Sequence, residues 1–281
     1  MKRRIYYCTG TGNSMRAARV IASALGSTEI VSMRMNPEDV PATDCDVIGF
    51  IYPVYHWTMP EPAEKFVEKL DINPDAYIFA VAMPSFIIGF ACERLNQILE
   101  TKGASLSYGN LVNSVANYAI VYPPFPSPKL RVPKTEKKLK KIAAEIAART
   151  KRDYPRASKR VRRKFDSFMG PYLDIQTYAD NPFTVSDACI SCGLCTRVCP
   201  CGNLTMENGK PKFNHHCANC MACVTSCPKR AIGYNITDGD RKLLDASGKN
   251  TPLVKIMGLP PKRKLYRNPY ITTADLTKNR E

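Results

Sequence analysis

A repeated cysteine run constrains this chain more than any other feature. Cys189-x2-Cys192-x2-Cys195-x3-Cys199-Pro200 recurs 28 positions later as Cys217-x2-Cys220-x2-Cys223-x3-Cys227-Pro228. Three thiolates separated by two residues can wrap one face of a cube, while a fourth, displaced along a short helix, points away. In runs of this type the fourth thiolate ligates the other cluster. The spacing thus predicts two 4Fe-4S clusters, one held by Cys189, Cys192, Cys195 and Cys227 and the other by Cys217, Cys220, Cys223 and Cys199. Pro200 and Pro228 end the cysteine-bearing segments, and Gly193 is expected to let the backbone pass close to sulfide. A pair of zinc ribbons is the competing metal reading, but zinc sites use C-x2-C pairs with long spacers and not two runs of four.

A fifth cysteine crowds the first run. Cys201 follows Pro200 and has no counterpart in the second copy, so it is expected to be a non-ligand thiol, packed or lightly exposed. His215 and His216 adjoin Cys217 and are expected to face solvent, because eight cysteines already fill two clusters. Between the runs, Asn208-Gly209 flanked by strand-like residues predicts a hairpin. Cys8, Cys45 and Cys92 lie outside the repeat and read as small core residues. Twelve cysteines behind a start, "MKRRIYYCTG", with no signal-peptide core point to thiolate chemistry in a reducing compartment. The cytoplasm is the expected location, and no run is long and apolar enough for a membrane span.

The first 150 residues have a different grammar. "RIYYCT", "DVIGFIYPV" and "YIFAVAM" are continuous apolar runs bounded by Gly or Pro, as buried strands are. They alternate with "SMRAARVIASAL", "EPAEKFVEKL" and "FACERLNQILETKG", which carry apolar residues at helical spacing. A strand near Leu106 to Val115 and a helix in "TEKKLKKIAAEIAARTKR" complete the pattern. Such alternation implies an α/β fold, a five-stranded doubly wound parallel sheet with helices on both faces.

The loop "CTGTGNS" joins the first strand to the first helix. Thr9, Gly10, Thr11, Gly12, Asn13 and Ser14 supply hydroxyls, an amide, freed backbone N–H groups and a helix N-terminus, which together can hold a phosphate without a lysine. It lacks the Gly-Lys-Ser/Thr of a P-loop, and Met15 breaks G-x-G-x-x-G. An ordinary strand-to-helix turn is the alternative.

"TGTGNS" after a first strand resembles the phosphate loop of flavodoxins, and "FTVSDACISCGLCTRVCP" with "CANCMACVTSCPKRAI" resembles bacterial-type ferredoxins carrying two 4Fe-4S clusters. The whole chain is similar to a bacterial and archaeal family that fuses the two. The resemblance implies FMN at the carboxyl ends of the strands, with Tyr55 or Trp57 stacking from the first loop and Phe86 from the next. It also implies a division into a flavodoxin-like FMN-binding domain (1–153), a basic linker (154–180), a small α+β two-cluster ferredoxin domain (181–239) and a C-terminal extension (240–281). The loop after the third long strand keeps only Gly89, a departure from the Gly-rich stretch of many flavodoxins.

The expected function is electron transfer through two 4Fe-4S clusters to or from FMN, without catalytic residues. An FMN-dependent oxidoreductase, its substrate lined by Tyr55, His56 and Tyr118, is the alternative. A redox-sensing nucleic-acid binder is the third reading. It is motivated by residues 129–164, where sixteen Lys or Arg stand against three acids in a chain of formal charge +16. Most of that charge reads as the polar face of a packed helix around Leu139, Ile142 and Ile146. No aromatic interleaving or recognised module accompanies it, so acidic redox proteins are the expected partners and nucleic acid is not.

Overall fold

The computed structural model describes residues 1–34, 39, 44–165, 167, 179–240, 257–279 and 281. Strand β1 (Arg3–Tyr7) pairs in parallel with β2 (Glu29–Ser32) on one side and β3 (Val47–Pro53) on the other. Strands β4 (Tyr77–Met83) and β5 (Tyr108–Leu111) continue the sheet in the order β2-β1-β3-β4-β5. This is the doubly wound α/β order expected, with its switch point between β1 and β3. Strand β2 is four residues long, too short for periodicity to locate.

Helices cover both faces, which is why β3 and β4 read as unbroken apolar runs. Tyr6, Phe50 and Tyr52 pack with Phe66 of α2 (Glu61–Lys69) and Leu95 of α3 (Ala91–Glu100). On the other face Ile5 and Val81 pack with Met15 and Ile21 of α1 (Asn13–Leu25) and with Leu139 and Ile142 of α4 (Pro128–Ala147). Burying one such side chain contributes roughly 2 kcal/mol. Cys8, Cys45 and Cys92 are buried, as expected. Helix α4 turns Lys134, Lys137, Lys140 and Lys141 to solvent and buries Leu139, Ile142 and Ile146.

Residues 154–165 of the segment read as a linker pack against the sheet and its helices. Tyr154 packs on the α2/α3 side of the sheet, and α5 (Lys159–Lys164) begins at Ser158, whose hydroxyl accepts from the Val161 N–H. Arg162 pairs with Glu93, and Phe165 meets Phe90 edge-on at 4.8 Å. Residues 166 and 168–178, within the expected linker, and 241–256, within the expected extension, lie outside the described residues.

The cysteine repeat forms a second, smaller α+β unit. Strand β6 (Phe183–Val185) pairs antiparallel with β9 (Ile232–Tyr234), and β7 (Leu204–Glu207) with β8 (Lys210–Phe213). Asn208 (φ 49°) and Gly209 (φ 76°) make the turn of the second pair, both with the positive φ of a tight hairpin. Helices α6 (Leu194–Val198) and α7 (Ala222–Ser226) carry the third and precede the fourth cysteines. Left-handed residues recur at the interval of the repeat, as Ser191 and Asn219, Gly193 and Met221, and Gly202 and Arg230. Met221 at φ 61° does what Gly193 does at φ 64°, so the turn itself does not demand glycine.

The two units share apolar cores. Val198, Ala222, Ile271 and Leu276 belong to the cluster under α1 and α4, and Trp57, Tyr118 and Phe165 pack into the core of the small unit. Among the described residues no helix is long and apolar enough to cross a membrane.

Candidate functional site

The loop after β1 reaches the seam between the units. Gly12, at φ 94°, precedes α1, and its N–H donates to the Thr9 hydroxyl at 3.0 Å. The Asn13 amide donates toward the Val115 carbonyl at 3.5 Å, and its carbonyl oxygen accepts from Tyr266 and Asn268 at 3.0 Å each. Asn13 is thus engaged by its surroundings. The Ser14 hydroxyl is buried and has no partner, an arrangement that costs about 1–3 kcal/mol unless a ligand completes it. Gly10 has no room for a side chain, because a Cβ there would stand 2.4 Å from the Cys220 carbonyl oxygen and 2.9 Å from the Tyr55 hydroxyl.

A cavity of about 720 Å³ opens over this loop. Its walls are Thr9–Thr11, Asn13 and Ser14, then Pro53–His56 from the end of β3, Ser114–Tyr122 in part, and Ala218, Asn219 and Cys220 from the second cysteine run. The Asn117 side-chain oxygen is buried there without a partner. Burial pushes the Tyr55 hydroxyl well above its usual range and lowers His56 to about 4, so His56 is neutral near pH 7. Of the three aromatics expected around a flavin, Tyr55 lines this cavity. Trp57 packs instead into the core of the small unit, and Phe86 is exposed, stacked on Phe125 at 5.5 Å. His56 and Tyr118, expected with Tyr55 around a substrate, line this cavity as well, and Tyr122 is a wall residue that residue patterns do not announce.

The cysteines divide into two groups. Cys189, Cys192, Cys195 and Cys227 line one apolar cavity of about 380 Å³ together with Leu194, Met206, Pro211 and Ile232. Cys199 lies close enough to Cys217, Cys220 and Cys223 to raise their thiols electrostatically, after burial, which pushes Cys217 up to about 12 and Cys220 and Cys223 well above their usual range. Backbone N–H groups of Asn203, Asn219 and Ala231 donate to the sulfurs of Cys199, Cys217 and Cys227 at 3.3, 3.3 and 3.2 Å. Such donors stabilise thiolate charge and tune a cluster. Among the described residues no three His, Cys, Asp or Glu side chains converge on a single-ion site. His215 is exposed and its ring meets the buried Asp180 carboxylate at 2.8 Å. His216 is exposed as well.

Residues 188–232 match the family model of the 4Fe-4S dicluster domain. With the sheet order of the N-terminal unit, this decides the architecture. The chain carries a 4Fe-4S dicluster domain behind a doubly wound parallel α/β unit. Residues 188–232 are its iron–sulfur unit. It is similar to the ferredoxin-like protein in the nif region of Nostoc sp., with 37% identity over 59 residues, 20% of this chain and 51% of that protein. A ferredoxin of Pyrobaculum islandicum is 44% identical over 48 residues, 16% of this chain and 45% of that one. The chain spans about half the length of the curated relatives it matches. Among solved structures, the flavodiiron core from Synechocystis is similar at 15% identity over 53% of this chain and 35% of that one, with a TM-score of 0.40. A short-chain flavodoxin of a bacterial microcompartment is similar at 15% identity over 51% of this chain and 99% of that one, TM-score 0.34.

The segment after the cysteine-bearing unit returns to the five-stranded parallel sheet. Asn268 donates its N–H to the Thr11 carbonyl at 2.9 Å, and Ile271 packs where a Cβ on Gly12 would stand. Arg19 pairs with Asp275 and Glu281, and Arg34 donates to the carbonyls of Arg197, Leu276 and Thr277. Ile30 and Glu281 exchange two backbone hydrogen bonds at 2.9 Å, and Ser32 donates to the Asn279 carbonyl at 2.8 Å. Nothing in the polar composition of this tail announces such anchoring.

Cys201 is half-buried beside Cys199. A thiol–thiol hydrogen bond between them holds Cys199 below and Cys201 above the ordinary range. A serine at Cys201 keeps an O–H that can donate to the same sulfur. Cys201→Ser is expected to leave the iron content unchanged, measured against the parent protein after anaerobic purification; loss of about half the iron overturns its non-ligand role.

Proposed function

We propose that this chain is a flavodoxin–ferredoxin fusion, an electron-transfer iron–sulfur flavoprotein that passes single electrons between two 4Fe-4S clusters and FMN. The observation that carries this reading is the shared wall of the 720 Å³ cavity, which joins the Thr9–Ser14 loop to Cys220 of the ferredoxin unit. FMN takes up two electrons and releases them singly, and each cluster carries one. Cys189, Cys192, Cys195 and Cys227 hold the first cluster, and Cys199, Cys217, Cys220 and Cys223 the second. The flavodoxin-like residues 1–153 hold the flavin phosphate through the loop N–H groups, the hydroxyls of Thr9, Thr11 and Ser14, and the N-terminus of α1. The unpartnered Ser14 hydroxyl and Asn117 oxygen fit a polar ligand in this cavity. Tyr55 shields it on the side of β3. No step requires a catalytic acid or base, and the physiological partners are redox proteins.

A substrate-reducing FMN enzyme is the second reading, and one observation favours it. A cleft of about 1100 Å³ beside the cavity is lined by His56, His215 and His216, with Tyr55, Glu61 and Cys217. These are all three histidines of the chain. Steady-state turnover of a small acceptor faster than of a protein acceptor would favour the enzyme over the carrier.

The carrier reading is tested by composition. Anaerobically purified protein is expected to contain about eight iron, about eight acid-labile sulfide and about one FMN per chain. Protein without flavin absorbance that cannot be reconstituted with FMN leaves only the ferredoxin half standing.

A further inference from the structure

The two thiol groups differ in their access to the outside. Cys199 and Cys223 are buried, and Cys220 lies behind the loop of Gly10. In the other group Cys192 is exposed, and the apolar side chains that rim its cavity stand out into solvent, Ile190 at 55% and Met206 at 40% exposure. Large apolar side chains exposed together at the mouth of a redox site are the kind of patch that marks a protein contact. The charged groups around them are biased in one direction. Lys210 and Lys212 are paired with Asp187 and Glu207, whereas the exposed Arg197, beside Gly193, and Lys229, on the cavity wall, have no ion-pair partner among the described residues.

We propose that the face around Cys192, with Ile190 and Met206 at its centre and Arg197 and Lys229 at its rim, is the docking surface for an acidic one-electron carrier protein. This rests on the reading of the chain as an electron carrier and adds a direction to it. Electrons cross the surface of the fusion at the first cluster, and the second cluster, beside the Thr9–Ser14 loop, exchanges them internally. The basic helix α5 is then not the docking site, although its charge is denser. An apolar centre excludes water from the contact, and rim charges act mainly on the rate of encounter. One electron leaves the reduced fusion and one carrier is reduced, so no further reactant is needed.

The test uses dithionite-reduced holoprotein, freed of excess reductant, mixed in a stopped flow at low salt with two one-electron acceptors of opposite charge. Plastocyanin is the acidic acceptor and cytochrome c the basic one. Arg197→Glu/Lys229→Glu is expected to slow plastocyanin reduction by about tenfold or more and to speed cytochrome c reduction, with unchanged iron content. The variant Arg160→Glu/Arg163→Glu, which makes the same change of net charge on α5, is expected to stay within about twofold of the parent for both. Equal effects of the two variants, or no effect of the first, overturn the proposal. Flavin-free protein still reads this surface through its first cluster, so failure of the FMN reading and failure of the docking surface are distinguishable.

Discussion

Replacing Cys199 with alanine is expected to halve the iron, from about eight to about four per chain, although Cys199 lies in the first cysteine run. The loss falls on the cluster beside the 720 Å³ cavity, so electron exchange with bound flavin is expected to slow far more than exchange with an external acceptor. Double substitution makes the crosswise assignment decisive. Cys199→Ala with Cys217→Ala removes two ligands of one cluster, and about four irons are expected to remain. Cys199→Ala with Cys189→Ala removes one ligand from each, and iron is expected to be lost almost entirely. If the second pair retains about four irons and the first retains none, each run serves its own cluster and the assignment is wrong. The grouping of Cys227 with Cys189, Cys192 and Cys195 around one cavity supports the crosswise outcome.

Gly10→Ala is expected to weaken FMN retention by about ten- to a hundredfold, corresponding to roughly 1.4–2.8 kcal/mol. The added methyl would lie 2.4 Å from the Cys220 carbonyl oxygen. Backbone cannot swing aside as a flexible side-chain end can, so either the loop or the ferredoxin unit must shift, at a cost of about 1–3 kcal/mol. Because the cysteines keep their own framework, iron content is expected to stay at the parental level. Gly258→Ala serves as a control, since no atom lies within 4 Å of its added Cβ. A Gly10→Ala protein that binds FMN as the parent does, by fluorescence titration, shows that the seam does not support the flavin site.

Much of this architecture was legible from residue patterns, and the illegible parts have physical reasons. Strands β3 and β4 are buried on both faces and announce themselves as apolar runs; β2, the four residues Glu29–Ser32, does not. Residue spacing identifies the loops around the cavity but not where their side chains turn. Tyr55 and Trp57 share one loop, yet one lines the cavity and the other enters the neighbouring core. Phe86 finds Phe125 in preference to the cavity. The wall made by Ala218, Asn219 and Cys220 comes from the docking of two units far apart in the chain, which local pattern cannot encode. The cysteine repeat, in contrast, fixes its thiols through short-range geometry, and the paired left-handed residues at Ser191 and Asn219 are the backbone trace of that duplication.

The tail that returns to β2 has a consequence for how this protein survives in a crowded solution. An open parallel sheet ends in two unpaired edges, each a template for strands of another chain. Here Asn279 and Glu281 occupy the edge of β2, and Arg152 bridges the opposite edge at Tyr108, donating its N–H to the Ser107 carbonyl and accepting from the Gly109 N–H. The segment that fastens the ferredoxin unit in place is therefore also a guard against edge-to-edge aggregation, and a chain that loses it risks clumping before it loses its redox centres.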